Sequence, residues 1–325
     1  MSQAIVVRNF GNAEVLQLED VPVSAPAEGE LRIRQSAIGV NFHDIYVRSG
    51  LYKTLTLPGI PGCEATGVIE STGPGVEGFK VGDLVAYVMG PPYGAYATHR
   101  ILNAELAVIV PDDLDDMLVA GNLLRALTVE MLLNRVARLE PGMTILVHAA
   151  AGGVGRLLCQ MAAHMGVTVI GTVGSEEKAR VATAAGCHHT ILYRSQNFID
   201  EVSRLTKGRG ADVVYDSVGA DTFPGSLSAT AKCGHLVNFG QSSGAVDPVA
   251  MTTLAEKSLT VSRPILFHYL QDTQTYRAMA TSVFEAFQKG ILTAKTAETF
   301  PLANAAQAHD RLNSGTMTKP LLLVP

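Results

Sequence analysis

The sequence predicts an α/β protein of two domains, one rich in strands and one built on a doubly wound parallel sheet. The 325-residue chain is too long for a single small core, and 47% hydrophobic residues against 17% charged ones exclude a disordered protein. Its first part consists of short apolar runs separated by Gly, Pro and Asn turns. Beyond Pro141, apolar runs alternate with helical segments, which is typical of parallel βαβ units.

The elements follow from these patterns in chain order. In the first part we expect strands at 4–7, 31–35, 67–70 and 84–88. Leucines and other apolar residues at helical spacing predict a helical connection over 118–136. The six strands of the parallel sheet are expected at 144–148, 167–172, 190–193, 212–216, 235–240 and 258–262. Helical spacing over 267–290 and 303–312 precedes a last strand at 321–324, and six strands already complete such a sheet, so we expect this tail to return to the first domain.

Charge and targeting signals narrow the function classes. The formal net charge is −5, with no block of like charges, so nucleic acid and acidic membrane surfaces are not favoured as partners. Residues 1–11 lack the pattern of a signal peptide, and no run of 18 apolar residues could span a membrane. We therefore expect a cytoplasmic protein.

The cysteines carry no site pattern. Four of them are scattered without a CxxC pair, which supports neither a disulfide framework nor a cysteine-rich zinc site: Cys63, Cys159, Cys187 and Cys233. We expect each to be a reduced thiol, buried or half-buried.

A glycine-rich stretch, HAAAGGVGRLL at 148–158, follows the first strand of the parallel sheet. It aligns with G-x-G-x-x-G, with Ala150 at the first glycine position, and a helix over 154–165 follows it. Gly152 would let the backbone approach a pyrophosphate, and Gly155 would let the helix pack closely on the strand. A turn without a ligand is the alternative.

The choice of dinucleotide depends on the end of the second strand, which reads GSEEK at 174–178. Gly174 removes the acidic side chain that commonly binds a ribose 2′-hydroxyl, while Ser175 and Lys178 can hold a 2′-phosphate. We therefore expect NADPH. The alternative is a solvated Lys178 with Glu176 binding the 2′-hydroxyl of NADH.

Two further loops follow the fourth and fifth strands, DSVG at 216–219 and GQSSG at 240–244. Because ligands bind at the carboxyl ends of such strands, we expect both loops to face the cofactor. Either could instead be an ordinary polar turn.

Five motifs now carry a family resemblance over the whole chain: NFHDIYVRSGLY (41–52), PGIPGCEATGVI (58–69), HAAAGGVG, VVYDSVG (213–219) and NFGQSSG (238–244). The sequence resembles the quinone oxidoreductases, the zeta-crystallin-like, zinc-free branch of the medium-chain dehydrogenase/reductase superfamily. The resemblance implies a GroES-like catalytic domain at 1–123 and 266–325, a Rossmann domain at 124–265 that binds NADPH, and a homodimer. A quinone would be reduced in the cleft between the domains.

The resemblance also implies roles for individual residues, carried over by motif. Asn41, Tyr46 and Tyr52 would line the nicotinamide and substrate, as catalytic residues, with Asn41 also touching the cofactor. The remaining cofactor-binding residues would be Thr128, Gly152, Gly153, Val154, Ser175, Lys178, Tyr193, Ser217, Val218, Gln241, Ser242 and Arg263. Without the family context, Asn41 would be read as a turn residue and the tyrosines as half-buried packing.

Two residues depart from the family pattern. His43 and Glu130 stand where relatives more often carry an apolar or aromatic residue. A histidine without a partner is weak evidence for catalysis, so we expect His43 to be a partly exposed helix residue rather than a catalytic acid.

No metal site is expected. Zinc-dependent relatives carry a Cys ligand near the segment of Asn41 and a Gly-His-Glu motif, where this chain has Asn41 and the sequence Gly62-Cys63-Glu64. A catalytic zinc needs about three protein ligands. We expect Cys63 to be a packed thiol and Glu64 a structural carboxylate.

Quinone reduction suits such a site, since its product is a phenolate-like oxygen with a pKa near 10, which a modest proton donor can protonate. Tyr46 or Tyr52 is our candidate donor. Three alternatives stay open: an NADPH-dependent reductase of α,β-unsaturated carbonyls, a non-catalytic NADPH-binding protein and a zinc alcohol dehydrogenase.

Overall fold

The computed structural model describes residues 2–325, and its contacts divide the chain into two compact units. The first unit extends to Leu124 and also contains Tyr269–Lys289 and Thr293–Pro325. The second unit consists of Arg125–His268 with Gly290–Leu292.

The first part of the chain is rich in strands. These are β1 (Ser2–Val6), β2 (Gln17–Val21), β3 (Glu30–Val40), β4 (Glu64–Thr72), β5 (Leu84–Val88), β6 (His99–Asn103) and β7 (Ala107–Ile109). Its helices are α1 (Phe42–Ser49), α2 (Asp116–Ala120) and α3 (Leu123–Glu130), and α3 continues as a π-helix over Met131–Val136.

The middle of the chain alternates strands and helices. The strands are β8 (Thr144–Val147), β9 (Thr168–Val173), β10 (His189–Leu192), β11 (Ala211–Asp216), β12 (Thr230–Asn238) and β13 (Thr260–Ser262). The helices are α4 (Gly153–His164), α5 (Glu176–Ala184), α6 (Phe198–Leu205), α7 (Phe223–Ala229), α8 (Met251–Ala255) and α9 (Leu266–Tyr269). The tail adds α10 (Thr273–Gln288), β14 (Glu298–Pro301), α11 (Ala305–Asn313) and β15 (Leu321–Val324).

The first unit is organised around a mainly antiparallel sheet with the order β14-β15-β3-β4-β5-β7, in which β6 also pairs with β3. The tail completes this sheet, because β15 pairs with β3 and brings β14 with it. Strands β1 and β2 form a separate antiparallel pair. Leu31, Ile33 and Ile38 of β3 are fully buried.

The second unit contains a six-stranded parallel sheet with the order β10-β9-β8-β11-β12-β13. Counted from β8, this is the 3-2-1-4-5-6 order of doubly wound dinucleotide-binding sheets, so the α/β fold predicted from the sequence is confirmed. Ile145, Leu146 and Val147 of β8 are completely buried, as expected for a strand covered by helices on both faces. The strand order reverses between β8 and β11, where such sheets bind ligands at their carboxyl ends.

The helical connection expected over 118–136 is not continuous. It breaks at Gly121, where a Cβ would lie 2.9 Å from Cβ of Pro320. Two helices with their own N-termini result, because Asp115 accepts a hydrogen bond from the Leu118 N–H and Glu64 accepts one from the Leu124 N–H.

The helix expected over 267–290 is likewise interrupted. The short α9 segment ends at Tyr269, and Asp272 starts α10, because its carboxylate accepts a hydrogen bond of 2.8 Å from the Thr275 N–H. Strands β2, β6, β7 and β14 were not expected from the sequence. Their apolar and polar residues alternate only weakly, so these segments become strands through pairing with neighbouring strands.

The cysteine expectation is correct for three residues and wrong for one. Cys63, Cys159 and Cys187 are buried, but Cys233 is exposed. Cys233 has a φ of 60° within β12, so it sits at a left-handed irregularity of the strand.

Membrane spans were also searched for among residues 2–325. None of the helices there combines the length and the apolar composition that crossing a bilayer requires.

Candidate active site

Asn41 stands at the start of α1 in the first unit, and it is 4% exposed. Its backbone N–H donates to Oδ2 of Asp44 at 2.8 Å, which anchors the first turn of the helix. Its side-chain Nδ2 donates to Oε1 of Glu64 at 2.7 Å. The carboxamide is therefore held by a buried carboxylate of β4.

Tyr46 and Tyr52 lie together at the other end of α1. Their ring centroids are 5.2 Å apart in an edge-to-face arrangement, and the Tyr52 N–H donates to the Tyr46 carbonyl oxygen. Gly50 ends the helix with a φ of 80°, which turns the chain back so that Tyr52 reaches Tyr46. The structure thus brings two of the three predicted catalytic side chains into contact.

His43 joins this aromatic cluster. Its ring centroid is 5.5 Å from that of Tyr52 and 5.6 Å from that of Tyr93. Burial lowers the pKa of His43 to about 4, so the imidazole is neutral near pH 7. His43 is a half-buried residue of α1, and its partner, the Tyr93 hydroxyl, which also bonds Thr54, was not identified from the sequence.

A buried polar network lies beneath α1. Asp44 accepts hydrogen bonds from Sγ of Cys63 at 3.3 Å and from the Tyr96 hydroxyl at 3.1 Å. The Tyr96 hydroxyl is also 2.9 Å from Nε2 of His309. Burial, together with the Asp44 charge, raises the pKa of Cys63, so this side chain is a neutral thiol.

The glycine loop after β8 has the geometry of a tight strand-to-helix turn. Gly152 precedes the first turn of α4, and its N–H donates to the Ala149 carbonyl oxygen at 2.8 Å. A Cβ on Gly155 would lie 2.3 Å from that same oxygen, so only glycine permits the helix to approach the strand this closely.

A cationic side chain lies beside this loop. Arg125, 8% exposed, places its Cδ and Nε 3.0 Å from the position that a Cβ on Gly153 would occupy. The sequence reasoning missed Arg125, although a charge within the apolar run LLRALTV was a signal for it. Thr128, on the next turn of α3, is 9% exposed.

The end of β9 brings Gly174, Ser175 and Tyr193 together. A Cβ on Gly174 would lie 2.8 Å from the Tyr193 hydroxyl oxygen. Ser175 is exposed and begins α5, with its hydroxyl accepting the Lys178 N–H at 3.3 Å. Lys178 is half-buried and Tyr193 is 52% exposed.

The loops after β11 and β12 pack against each other. The Ser242 N–H donates to the Ser217 carbonyl oxygen at 3.3 Å, and the Ser243 N–H to that of Val218 at 2.8 Å. Gln241 and Ser242 thereby lie next to Ser217 and Val218. Arg263, which follows β13, donates from Nη1 to the Asn238 carbonyl oxygen at the end of β12.

Asp216 orders these loops, a role that was not predicted. Its fully buried carboxylate accepts the N–H groups of Val218 at 2.8 Å and Gly219 at 3.0 Å. It also accepts the Ser226 hydroxyl, which is 3.0 Å from Nε2 of His148 at the end of β8. The carboxyl ends of neighbouring strands are therefore joined by one buried network.

Metal ligands were searched for throughout the described chain, 2–325. No group of three or more His, Cys, Asp or Glu side chains there is arranged to hold a metal ion.

Comparison with known proteins identifies the class first. Residues 27–112 match the family described as alcohol dehydrogenase GroES-like domain, and residues 153–285 match the zinc-binding dehydrogenase family. This pairing defines the medium-chain dehydrogenase/reductase superfamily, and the predicted GroES-like and Rossmann domain types are confirmed.

Full-length relatives then give the family. A quinone oxidoreductase of Pseudomonas aeruginosa is 43% identical, with 100% of both chains covered. A 2-haloacrylate reductase of a Burkholderia species is 40% identical over 100% of this chain and 99% of its own. The crystal structure of Escherichia coli quinone oxidoreductase complexed with NADPH is 38% identical, with a TM-score of 0.96 over 99% of this chain and 100% of that one. The chain belongs to the quinone oxidoreductase family, whose members are oxidoreductases that use NADPH.

Proposed function

We propose that this protein is an enzyme that reduces quinones with NADPH and without a metal ion. The observation that carries the proposal is the full-length similarity to quinone oxidoreductases, at 38% to 43% identity. In this proposal residues 1–123 and 266–325 form the catalytic domain and residues 124–265 bind NADPH.

The second unit has features that fit NADPH. The glycine loop leads into the N-terminus of α4, whose N–H groups can bind a pyrophosphate, and Arg125 adds a positive charge beside the loop. Gly174 carries no acidic side chain, and in this proposal Ser175 and Lys178, at the start of α5, supply a hydroxyl and an ammonium group to the 2′-phosphate. NADPH, when bound, supplies the hydride.

The first unit supplies groups for the acceptor. Asn41 presents a carboxamide, and the tyrosine pair presents phenolic hydroxyls that can orient quinone oxygens. We propose Tyr46 or Tyr52 as the donor of a proton to the product oxygen, whose pKa of about 10 resembles that of a tyrosine. The main tasks of these residues are to position the ring and exclude water.

The donor set beside Asn41 argues against a metal. The Cys63 thiol is protonated and donates to Asp44, and the nearest carboxylate, Glu64, is already engaged by two N–H groups. A zinc ion would need a thiolate or imidazole where the chain has a carboxamide. Quinone reduction does not need such an ion, because the product charge is spread over an aromatic ring.

A second acceptor class is favoured by one observation. The 2-haloacrylate reductase, at 40% identity over 99% of its length, is within the 38% to 43% range of the bacterial quinone oxidoreductases. A conjugated carbonyl would accept hydride at carbon, and the same tyrosine hydroxyls could then donate to an enolate oxygen.

Parallel assays test the proposal. NADPH oxidation is followed with phenanthrenequinone, benzoquinone, 2-chloroacrylate and a simple enone, each repeated with NADH and with a chelator. We expect rapid, chelator-insensitive turnover of the quinones with NADPH. Turnover of 2-chloroacrylate alone would transfer the function to the second acceptor class, and NADPH binding without any turnover would reject both.

We also propose a homodimer. Strand β13 is an open edge of the parallel sheet, and Met251 (77% exposed) and Ile265 (46% exposed) lie near it in sequence. Light scattering on the purified protein measures the mass directly. The cytoplasmic location stays a prediction.

A further inference from the structure

Glu64, at the start of β4, is a carboxylate buried to 1% exposure. Its Oε1 accepts a hydrogen bond of 2.7 Å from Nδ2 of Asn41, and its Oε2 accepts one of 2.7 Å from the backbone N–H of Leu124. Short bonds to a carboxylate are of the stronger, charge-assisted type. Both oxygens are therefore committed to fixed N–H groups.

The neighbouring strand makes room for this carboxylate. Gly39 of β3 has no left-handed φ, so its conformation does not require glycine. A Cβ on Gly39 would instead lie 2.3 Å from Oε1 of Glu64 and 2.5 Å from the Ala120 carbonyl oxygen. Any larger residue would displace the carboxylate, so the glycine preserves the position of Glu64.

This arrangement determines which way the Asn41 carboxamide points. A carboxylate accepts hydrogen bonds and donates none, so the amide nitrogen must face Glu64 and the amide oxygen must lie on the other side. The backbone N–H of Asn41 is held separately by Asp44. The Asn41 side chain also forms a capping box with Asp44 at the start of α1, so Glu64 holds its amide nitrogen while the helix end faces its amide oxygen.

We propose that Glu64 is a positioning residue for Asn41, fixing the orientation in which the carboxamide lines the nicotinamide and acceptor. The inference rests on the proposed function, in which Asn41 touches the cofactor and the substrate. Glu64 itself touches neither, and it acts through Asn41.

The test is a double-mutant cycle of Glu64→Gln, Asn41→Ala and the double variant. Two quantities are measured for each protein: kcat/KM with the acceptor that the wild type reduces, and Kd for NADPH. Glutamine keeps the shape of Glu64 but has one acceptor oxygen for two facing N–H donors, so the carboxamide of Asn41 is released or turned. Glu70→Gln, on the same strand but half-buried among arginines, is the matched control.

We expect Glu64→Gln to lower kcat/KM by about 10- to 100-fold, as for other misplaced groups near reacting atoms, and to have less than about a 3-fold effect in the Asn41→Ala background. Glu70→Gln is expected to leave turnover unchanged. Equal losses from Glu64→Gln in both backgrounds, or no loss in the wild type, would overturn the inference, because a merely structural role does not depend on Asn41.

Two further outcomes are a variant that does not fold and a wild type that shows no turnover. If Glu64→Gln fails to fold, Glu64→Asp replaces it in the cycle, since it keeps the charge but draws the carboxylate back from both N–H groups. If the wild type binds NADPH but reduces no acceptor, the proposed function is wrong. The inference is then tested by Kd for NADPH alone: the effect of Glu64→Gln on Kd must be smaller in the Asn41→Ala background than in the wild type. A wild type that binds no NADPH overturns both.

Discussion

Nε2 of His43 lies 3.0 Å from the hydroxyl oxygen of Tyr93, and that hydroxyl is 2.7 Å from Oγ1 of Thr54. A loop threonine, a loop tyrosine and a helix histidine thus form a hydrogen-bonded chain beside the Tyr52 ring. The Tyr93 hydroxyl thus gives the buried imidazole of His43 a hydrogen-bond partner.

His43 should remain neutral throughout the range in which the enzyme is assayed. Burial lowers its pKa to about 4, against about 6.5 for a free histidine. An NMR titration of its imidazole C–H signals, assigned by comparison with His43→Leu, should show no protonation down to about pH 5. The urea-unfolded protein is the control, and an inflection near pH 6.5 in the folded protein would contradict the assignment.

Tyr46→Phe and Tyr52→Phe should separate packing from proton donation. The rings are retained, so the edge-to-face contact survives and only the hydroxyl is lost. The variant that removes the donor should lower kcat/KM for quinones by about 10-fold or more, while the unfolding temperature stays within a few degrees. Unchanged kcat/KM in both single variants and in the double variant would leave the donor role to water.

Lys178→Ala should weaken NADPH binding selectively. Loss of one charge-assisted contact to a 2′-phosphate costs about 1.5 to 3 kcal/mol, or about 10- to 100-fold in Kd. NADH lacks that phosphate, so its Kd should change little. Lys232→Ala, an exposed lysine on β12 of the same unit, is the control. Equal losses for NADPH and NADH would favour the alternative in which Lys178 is a solvated helix residue.

Two glycines of one loop should respond differently to alanine. In Gly155→Ala the new Cβ meets the Ala149 oxygen at 2.3 Å and Cα of Ala150 at 2.9 Å, backbone atoms that cannot move cheaply, so stability should fall by about 1 to 3 kcal/mol. In Gly152→Ala the nearest atom is 3.0 Å away and the backbone angles suit alanine, so the fold should survive while NADPH binding weakens. Urea unfolding and NADPH titration measure the two effects. NADPH binding by Gly152→Ala at wild-type affinity would mean that the loop is only a turn.

His309 should make the protein sensitive to acid. Burial, with the nearby Arg48 charge, lowers its pKa to about 3, so the native state stays unprotonated where the unfolded state takes up a proton. The stability contribution is complete above about pH 6.5 and declines by about 1.4 kcal/mol per pH unit as the pH falls toward 3. His309→Gln should be less stable near pH 7 but lose less stability between about pH 6.5 and pH 4. Denaturant unfolding at several pH values measures the slopes, and equal slopes would contradict the lowered pKa.

The parallel sheet and the glycine loop were the most predictable parts of the molecule. Strands buried on both faces read as continuous apolar runs, and the loop residues that follow them are local in sequence. The break at Gly121 was not expected from the sequence, and there Pro320, from the far end of the chain, lies 2.9 Å from the position of a Gly121 Cβ. Cys233 was expected inside for its residue type, but the irregularity in β12 turns it outward.

The sequence by itself therefore determined the α/β class, the positions of the parallel strands along the chain and the residue types available to a dinucleotide, since each depends on local periodicity or on a short motif. Only the tertiary structure decided what the single residues touch. Asn41 meets Glu64 across 23 residues of sequence, and Tyr96 meets His309 across 213. Such pairs arise from strand pairing and helix packing, which bring distant residues together at atomic distances that no local pattern specifies.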